Sequence, residues 1–249
     1  MKALITGASS GIGRDMARYM SSIGYDLVIV ARSKEPLEEL KRELKTNITI
    51  EICDISFEEN CLQLFEKYKD VNIVINNAGF GVFGEFDETD LEKEIQLINT
   101  NVTAVHILTK LYIKEMEKRG SGHIMNVGSI AGLMSGGPLM AAYYASKSYL
   151  VSLSRAINKE LKKRKSNIRI TILCPGPVNT NFNNVAGVKF GIKPLSSEFV
   201  AKFGVDRMLK NREIIIPGFI NKLAVILSKF SPWLISSEVI YHTQKKKVN

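Results

Sequence analysis

Tyr143 and Lys147 stand four residues apart near the start of a long helical pattern over 142–164. That spacing places both side chains on one face of a helix. A free phenol ionises near about 10, too high for a useful base at neutral pH, and a neighbouring ammonium favours the phenolate and lowers that value. Such a pair can take and give a proton at a substrate oxygen. Tyr144 adjoins Tyr143, but only Tyr143 lies four residues before Lys147. Ser129, just past the apolar run 123–127, offers a hydroxyl to hold the same oxygen beside the phenol. Each residue has a plain alternative: tyrosines as core aromatics, Ser129 as a turn residue, Asn101 as a helix cap. Their combination is what points to proton transfer.

A second group lies at the beginning of the chain. Thr6-Gly7-Ala8-Ser9-Ser10-Gly11-Ile12-Gly13 follows an apolar run and opens a helical pattern. Glycines here let the backbone turn sharply and approach a phosphate, and the helix start behind them presents free N–H groups and a positive dipole end. Gly7, Ser9, Ser10, Gly11, Ile12 and Gly13 are therefore candidates to hold a dinucleotide pyrophosphate.

Positioning these residues requires an alternating framework. Lys2–Thr6, Asp26–Ala31, Thr49–Cys53, Asn72–Asn76, His123–Val127 and Arg169–Cys174 read as short buried strands, rich in Ile and Val. Helical patterns over about 11–23, 34–45, 57–68, 88–118 and 142–164 separate them. The alternation predicts an α/β, doubly wound parallel sheet of Rossmann type with helices on both faces, as one domain over 1–249, with ligands at the carboxyl ends of the strands.

The TGxxxGxG spacing of the glycine turn resembles that of the short-chain dehydrogenase/reductase family, and the likeness continues along most of the chain. Asn76-Asn77-Ala78-Gly79, Asn101, Gly128-Ser129, Tyr143-x-x-x-Lys147 and Pro175-Gly176-Pro177-Val178-x-Thr180 follow in the family's order. The resemblance implies an oxidoreductase that interconverts a carbonyl and an alcohol by hydride transfer, with Tyr143, Lys147, Ser129 and Asn101 as catalytic set. Asn101 would order a water that links Lys147 to solvent, and Lys147 would also bind the nicotinamide ribose. It implies that Asn77, Ala78 and Gly79 line the cofactor, that Pro175, Gly176, Val178 and Thr180 close over the nicotinamide, and that Asp54 and Ile55 hold the adenine. Asp54 has a second reading as a helix N-cap. The Ser129-to-Tyr143 interval is one residue longer than the family's commonest; the extra residue falls in the 133–142 loop, where it reshapes the pocket rather than the chemistry. The helices at about 101–118 and 142–164 resemble a pair that builds a dimer interface, with Leu150, Leu153, Ile157 and Leu161 as an apolar stripe. A homodimer or tetramer is expected.

The second strand ends Ala31-Arg32-Ser33-Lys34, with no carboxylate at the position where NAD enzymes hold the ribose hydroxyl. The Arg32 guanidinium suits a 2′-phosphate instead, with Ser33 and Lys34 beside it. NADP(H) is the expected cofactor, as it is for family members with arginine here.

Composition narrows the setting. Three cysteines, Cys53, Cys61 and Cys174, without CxxC spacing suggest neither a disulfide framework nor a metal site, and fit a reducing, cytoplasmic location. The chain start leaves no room for a signal peptide, and no apolar run is long enough to span a bilayer. The net charge of +9 is scattered over a lysine-rich surface, without the interleaved aromatics of a nucleic-acid groove. The 181–196 segment, with Phe182, Val185, Val188, Phe190 and Ile192, reads as an apolar substrate loop. A steroid, fatty ketone, aromatic aldehyde or quinone would suit it. The 217–249 extension carries Leu223, Ile226, Leu227, Phe230 and Trp233 at helical spacing; it caps the pocket, packs on another subunit, or makes peripheral contact with a membrane. The competing function is a regulatory protein that binds NADPH without turning it over.

Overall fold

The computed structural model describes residues 1–180 and 194–245. Six parallel strands run β1 (Lys2–Thr6), β2 (Asp26–Ala31), β3 (Ile48–Ile52), β4 (Ile73–Asn76), β5 (Gly122–Val127) and β6 (Ile168–Leu173). After them come two-residue strands β7 (Val178–Asn179), β8 (Leu195–Ser196) and β9 (Ile214–Ile215). The main sheet has seven strands in the order β3-β2-β1-β4-β5-β6-β9, all parallel. The order reverses between β1 and β4, which opens a crevice at their carboxyl ends. The glycine turn leaves β1 at that crevice.

Strand side chains alternate between two helical layers, as period-2 geometry requires. Ala3, Ile5, Leu27, Ile29, Ile73 and Ile75 face α1 (Gly11–Ser22), α2 (Lys34–Glu43) and α7 (Ser197–Leu209), meeting Met16, Met20, Leu37 and Val205. Leu4, Val28, Val30, Val74 and Ile124 face α3 (Glu58–Lys67), α5 (Ala104–Arg119) and α6 (Ala141–Lys163), meeting Leu64, Leu108, Tyr112 and Leu161. Both faces are covered, which explains why the strands read as continuous apolar runs.

Three expectations change. The 88–118 pattern is not one helix: α4 (Leu91–Ile98) passes through a π-helical turn, Asn99–Thr103, into α5. A seventh strand, β9, joins the six expected ones at the β6 edge. The tail is two helices, α8 (Phe219–Phe230) and α9 (Trp233–Lys245), because Pro232 cannot continue the first. In addition, Leu150 and Leu161 of the expected dimer stripe are buried within the chain itself. Of the 181–196 loop, residues 181–193 lie outside the described residues, and with them Phe182, Val185, Val188, Phe190 and Ile192.

Candidate active site

The glycine turn is built to leave room. Gly7 and Gly11 take positive φ angles of 67° and 54°, a region that L side chains resist. A Cβ on Gly7 would lie 2.8 Å from Ala78 Cα. Gly13 serves another purpose: its Cβ would meet Gly7 O at 2.4 Å, so this glycine lets α1 pack on the turn rather than touch a ligand. The start of α1 has no side-chain cap at Ser10 and no acidic residue in its first turn. Its unsatisfied N–H groups and positive dipole end suit a pyrophosphate.

The turn is tied to β4. Asn77 Nδ2 donates to Thr6 O at 3.0 Å and Gly7 O at 3.1 Å, while Thr6 Oγ1 accepts from the backbone N–H of Asn77 and Ala78. Asn76 points the other way, into a buried network: its Nδ2 donates to Asn126 Oδ1 at 2.8 Å, and Asn126 Nδ2 donates to Ser154 Oγ. The two asparagines thus join the site to the sheet and to α6.

A cavity of about 770 Å³ runs from the glycine turn across the strand ends. Gly7, Ser9, Ser10, Gly11, Ile12, Arg32, Asp54, Ile55, Asn77, Ala78, Gly79, Ser129, Tyr143, Lys147, Pro175, Gly176, Val178 and Thr180 all line it. Gly13, Ser33 and Asn101 do not. Ser33 occupies the N-cap position of α2, without a side-chain cap bond. Asp54 is not the N-cap of α3, which is Phe57; its Oδ1 accepts from Ser56 N at 3.0 Å and shapes the chain after β3. Arg32 is exposed and has no ion-pair partner among the described residues, whereas Lys34 is turned to Glu38 at 3.4 Å. A guanidinium held at the strand end and left unpaired fits a phosphate at that place.

At the other end, α6 presents Tyr143 and Lys147 together. Lys147 is buried, and its Nζ donates to Val127 O at 3.0 Å and lies 5.8 Å from the Tyr143 ring centre. The Tyr143 hydroxyl is hydrogen-bonded to the Ser129 side chain. Ser129 Oγ also accepts from Ala131 N at 3.1 Å, which fixes the rotamer that reaches the phenol. Burial pushes the Tyr143 phenol up to about 12, against a smaller downward pull from Ser129. The expected lowering by Lys147 is not met by the chain on its own. Burial brings Lys147 down to about 8, so its charge preference is weakened too.

Asn101 sits in the π-helical turn, fully buried. Its Nδ2 spends both donors, on Phe80 O at 2.9 Å and Ser146 Oγ at 3.1 Å, and its Oδ1 accepts from Phe80 N. Ser146 Oγ in turn donates to Tyr143 O at 2.7 Å. The side chain therefore clamps the segment after Gly79 against the first turn of α6.

Sequence reasoning missed part of the wall. Phe83, Met140, Tyr144 and Gln244 all line the cavity. Tyr144 is mostly buried, and its ring packs where a Cβ on Gly137 would lie 2.1 Å from it, so the loop with the extra residue exists around this ring. Gln244, in α9, had no local signal: it is one polar residue in a lysine-rich tail. Ile240 of the same helix packs on the cluster of Tyr144, Met140 and Ala131. Of the three readings of the tail, the structure assigns α9 to the pocket.

The family model for short chain dehydrogenase matches residues 1–188. The chain belongs to the short-chain dehydrogenase family. It is therefore an oxidoreductase that works with a nicotinamide dinucleotide. It is 33% identical over 185 residues, 73% of this chain and 74% of the relative, to a 3-oxoacyl-[acyl-carrier-protein] reductase of Rickettsia prowazekii. Among solved structures it is similar to a short-chain dehydrogenase of Sphingobium yanoikuyae in complex with NADPH, at 26% identity and a TM-score of 0.80, covering 93% of this chain and 96% of that one. A Burkholderia phymatum member in complex with NAD gives 25% identity and a TM-score of 0.81, covering 91% and 92%. Within this short-chain dehydrogenase, no helix of the described residues is long and apolar enough to cross a membrane, and they hold no cluster of three or more metal-ligating side chains.

Proposed function

We propose that this short-chain dehydrogenase is NADP(H)-dependent and interconverts a carbonyl and an alcohol on an apolar small molecule. The observation that carries the reading is the Tyr143 hydroxyl, bonded to the Ser129 side chain and beside Lys147, in the same cavity as the uncapped start of α1. A regulator that only binds the dinucleotide has no use for that proton-handling group.

The glycine turn and the α1 start hold the pyrophosphate, Arg32 the 2′-phosphate, and Lys147 Nζ the nicotinamide ribose. When bound, NADPH supplies the hydride to the carbonyl carbon. Ser129 Oγ holds the carbonyl oxygen, and Tyr143 Oη gives it a proton as negative charge develops there. A phenol pushed to about 12 carries that proton throughout the neutral range. Lys147 stabilises the phenolate left behind until it is reprotonated. Asn101 supports this route by positioning: its amide is bonded to Phe80 and Ser146 and holds the first turn of α6 in place.

Phe83, Met140 and Tyr144 make the substrate end largely apolar. The name of the Rickettsia relative makes a 3-oxoacyl thioester the first compound to try, alongside apolar ketones, aromatic aldehydes and quinones. This reading includes a homodimer, with the enzyme working in the cytoplasm. A panel of these carbonyls and the matching alcohols, followed at 340 nm with NADPH and NADH, tests it. Turnover of an apolar carbonyl with NADPH is expected. Cofactor binding with no turnover across the panel favours the regulator.

A further inference from the structure

The first helix of the tail is built inside out. In α8, Asn221, Ala224, Val225 and Ser228 turn toward the protein, while Phe219, Ile220, Leu223, Ile226, Leu227 and Phe230 are exposed. A helix that packs on a water-soluble body puts those classes the other way round. At 3.6 residues per turn the six large side chains fall on one stripe along the helix. Its ends are its most open points, with Phe219 80% and Phe230 84% exposed. The next helix continues the pattern only in part: Leu234, Ile235 and Val239 are exposed in α9 and Ser236 and Gln244 are buried, while Ile240 packs inward and Glu238, His242 and Lys245 are exposed as well. An outward apolar stripe of this extent marks a surface that something covers.

Charge indicates what covers it. Lys222 and Lys229 are seven residues apart and lie on the same flank of the α8 stripe. Neither ammonium has an ion-pair partner among the described residues. Over residues 219–249 there are five lysines and one acid, Glu238, which pairs with His242 at 2.9 Å. A second copy docked about a two-fold axis would meet this patch with the same patch, lysines included, and would bury unpaired cations at the rim of an apolar seam. Anionic lipid headgroups neutralise the same lysines while the phenyl and aliphatic groups enter the acyl boundary, and the lysine stems reach along the interface.

We propose that α8 and α9 form a docking surface for an anionic lipid bilayer, with α8 lying in the plane of the interface. The proposal uses no catalytic group and stands apart from the reaction proposed above. It has one consequence for access: α9 carries Gln244 in the cavity wall and Val239 on the outer face, so the bilayer and the cavity share one helix.

The test is sedimentation of the full chain with vesicles of phosphatidylcholine alone and of phosphatidylcholine mixed with phosphatidylserine. The parent is compared with Leu227→Ser/Phe230→Ser and Lys222→Gln/Lys229→Gln. All four positions are exposed, so the thermal unfolding midpoint stays near the parent's. The parent is expected to pellet with the anionic vesicles and far less with the neutral ones. Removing the two large side chains lowers binding to anionic vesicles by roughly tenfold or more. Removing both charges lowers it by roughly 25-fold, because each lysine near an anionic surface contributes about a fivefold factor. A parent that stays in the supernatant with both vesicle types overturns the proposal. So does light scattering that shows a parent dimer made monomeric by Leu227→Ser/Phe230→Ser with vesicle binding unchanged.

Discussion

Gln244 Nε2 donates to the Tyr144 hydroxyl at 2.9 Å, across a separation of 100 residues. The bond is buried and closes the substrate end of the cavity with the last turn of α9. Gln244 Oε1 is buried with no hydrogen-bond partner among the described residues, and it belongs to a residue that lines the cavity. A buried acceptor left open in this way costs stability unless something donates to it.

Gln244→Leu keeps the bulk and removes both polar atoms. It is expected to leave NADPH affinity unchanged and to alter substrate selection, with KM rising several-fold for substrates that carry a second donor group and staying near parental for wholly apolar ones. Steady-state kinetics on a matched pair of ketones, with and without a remote hydroxyl, checks this. Equal KM changes for both compounds assign Gln244 to closing the pocket only.

Tyr143→Phe removes the proton donor and keeps the ring. General acid assistance is typically worth about 10²–10⁴-fold, so turnover falls by that order while NADPH binding survives. Tyr144→Phe loses one hydrogen bond to Gln244 and keeps most of the activity. In the parent, alcohol oxidation speeds up as pH rises, because it needs the phenolate. Carbonyl reduction holds steady through neutral pH, because a phenol pushed to about 12 is already protonated. Pre-steady-state rates of hydride transfer against pH, in both directions, give the measurement.

Arg32→Ala tests cofactor choice. A lost charge-assisted contact to phosphate costs about 1.5–3 kcal/mol, which is roughly tenfold or more in affinity. Fluorescence titration is expected to show that loss for NADPH and almost none for NADH. Equal affinity of the parent for the two cofactors removes the basis for assigning Arg32 to the 2′-phosphate.

His123 makes stability depend on pH. Its Nε2 bonds Thr171 Oγ1 at 2.8 Å, and that hydroxyl donates onward to Arg212 O, so Nε2 carries the proton of a neutral ring. Burial, helped by nearby Arg169, lowers its pKa to about 4 from 6.5. A group depressed in the folded state binds protons more readily when unfolded, so stability is full above pH 6.5 and falls as pH drops toward 4. By pH 5 this histidine is expected to cost the protein on the order of 1–2 kcal/mol. Urea midpoints at pH 7 and pH 5 should differ less in His123→Gln than in the parent.

Much of this was legible one residue type at a time. The alternating apolar runs dictated a parallel sheet covered on both faces, since only burial on both sides favours continuous Ile and Val. Six strands fall within one or two residues of expectation. The glycine turn and the Tyr143–Lys147 spacing were legible because backbone freedom and helical periodicity are local properties. Tertiary structure decided what depends on distant partners. The chain on its own raises the Tyr143 phenol, because desolvation is set by everything packed around it, and no spacing encodes that. Asn101 reads as a cap but clamps Phe80, since the π-helical turn that aims it has no pattern of its own. β9 is two residues long and exists only because β6 offers it an edge. Gln244 reaches the cavity because α9 folds back over Tyr144, a contact settled by long-range packing rather than by its neighbours in the chain.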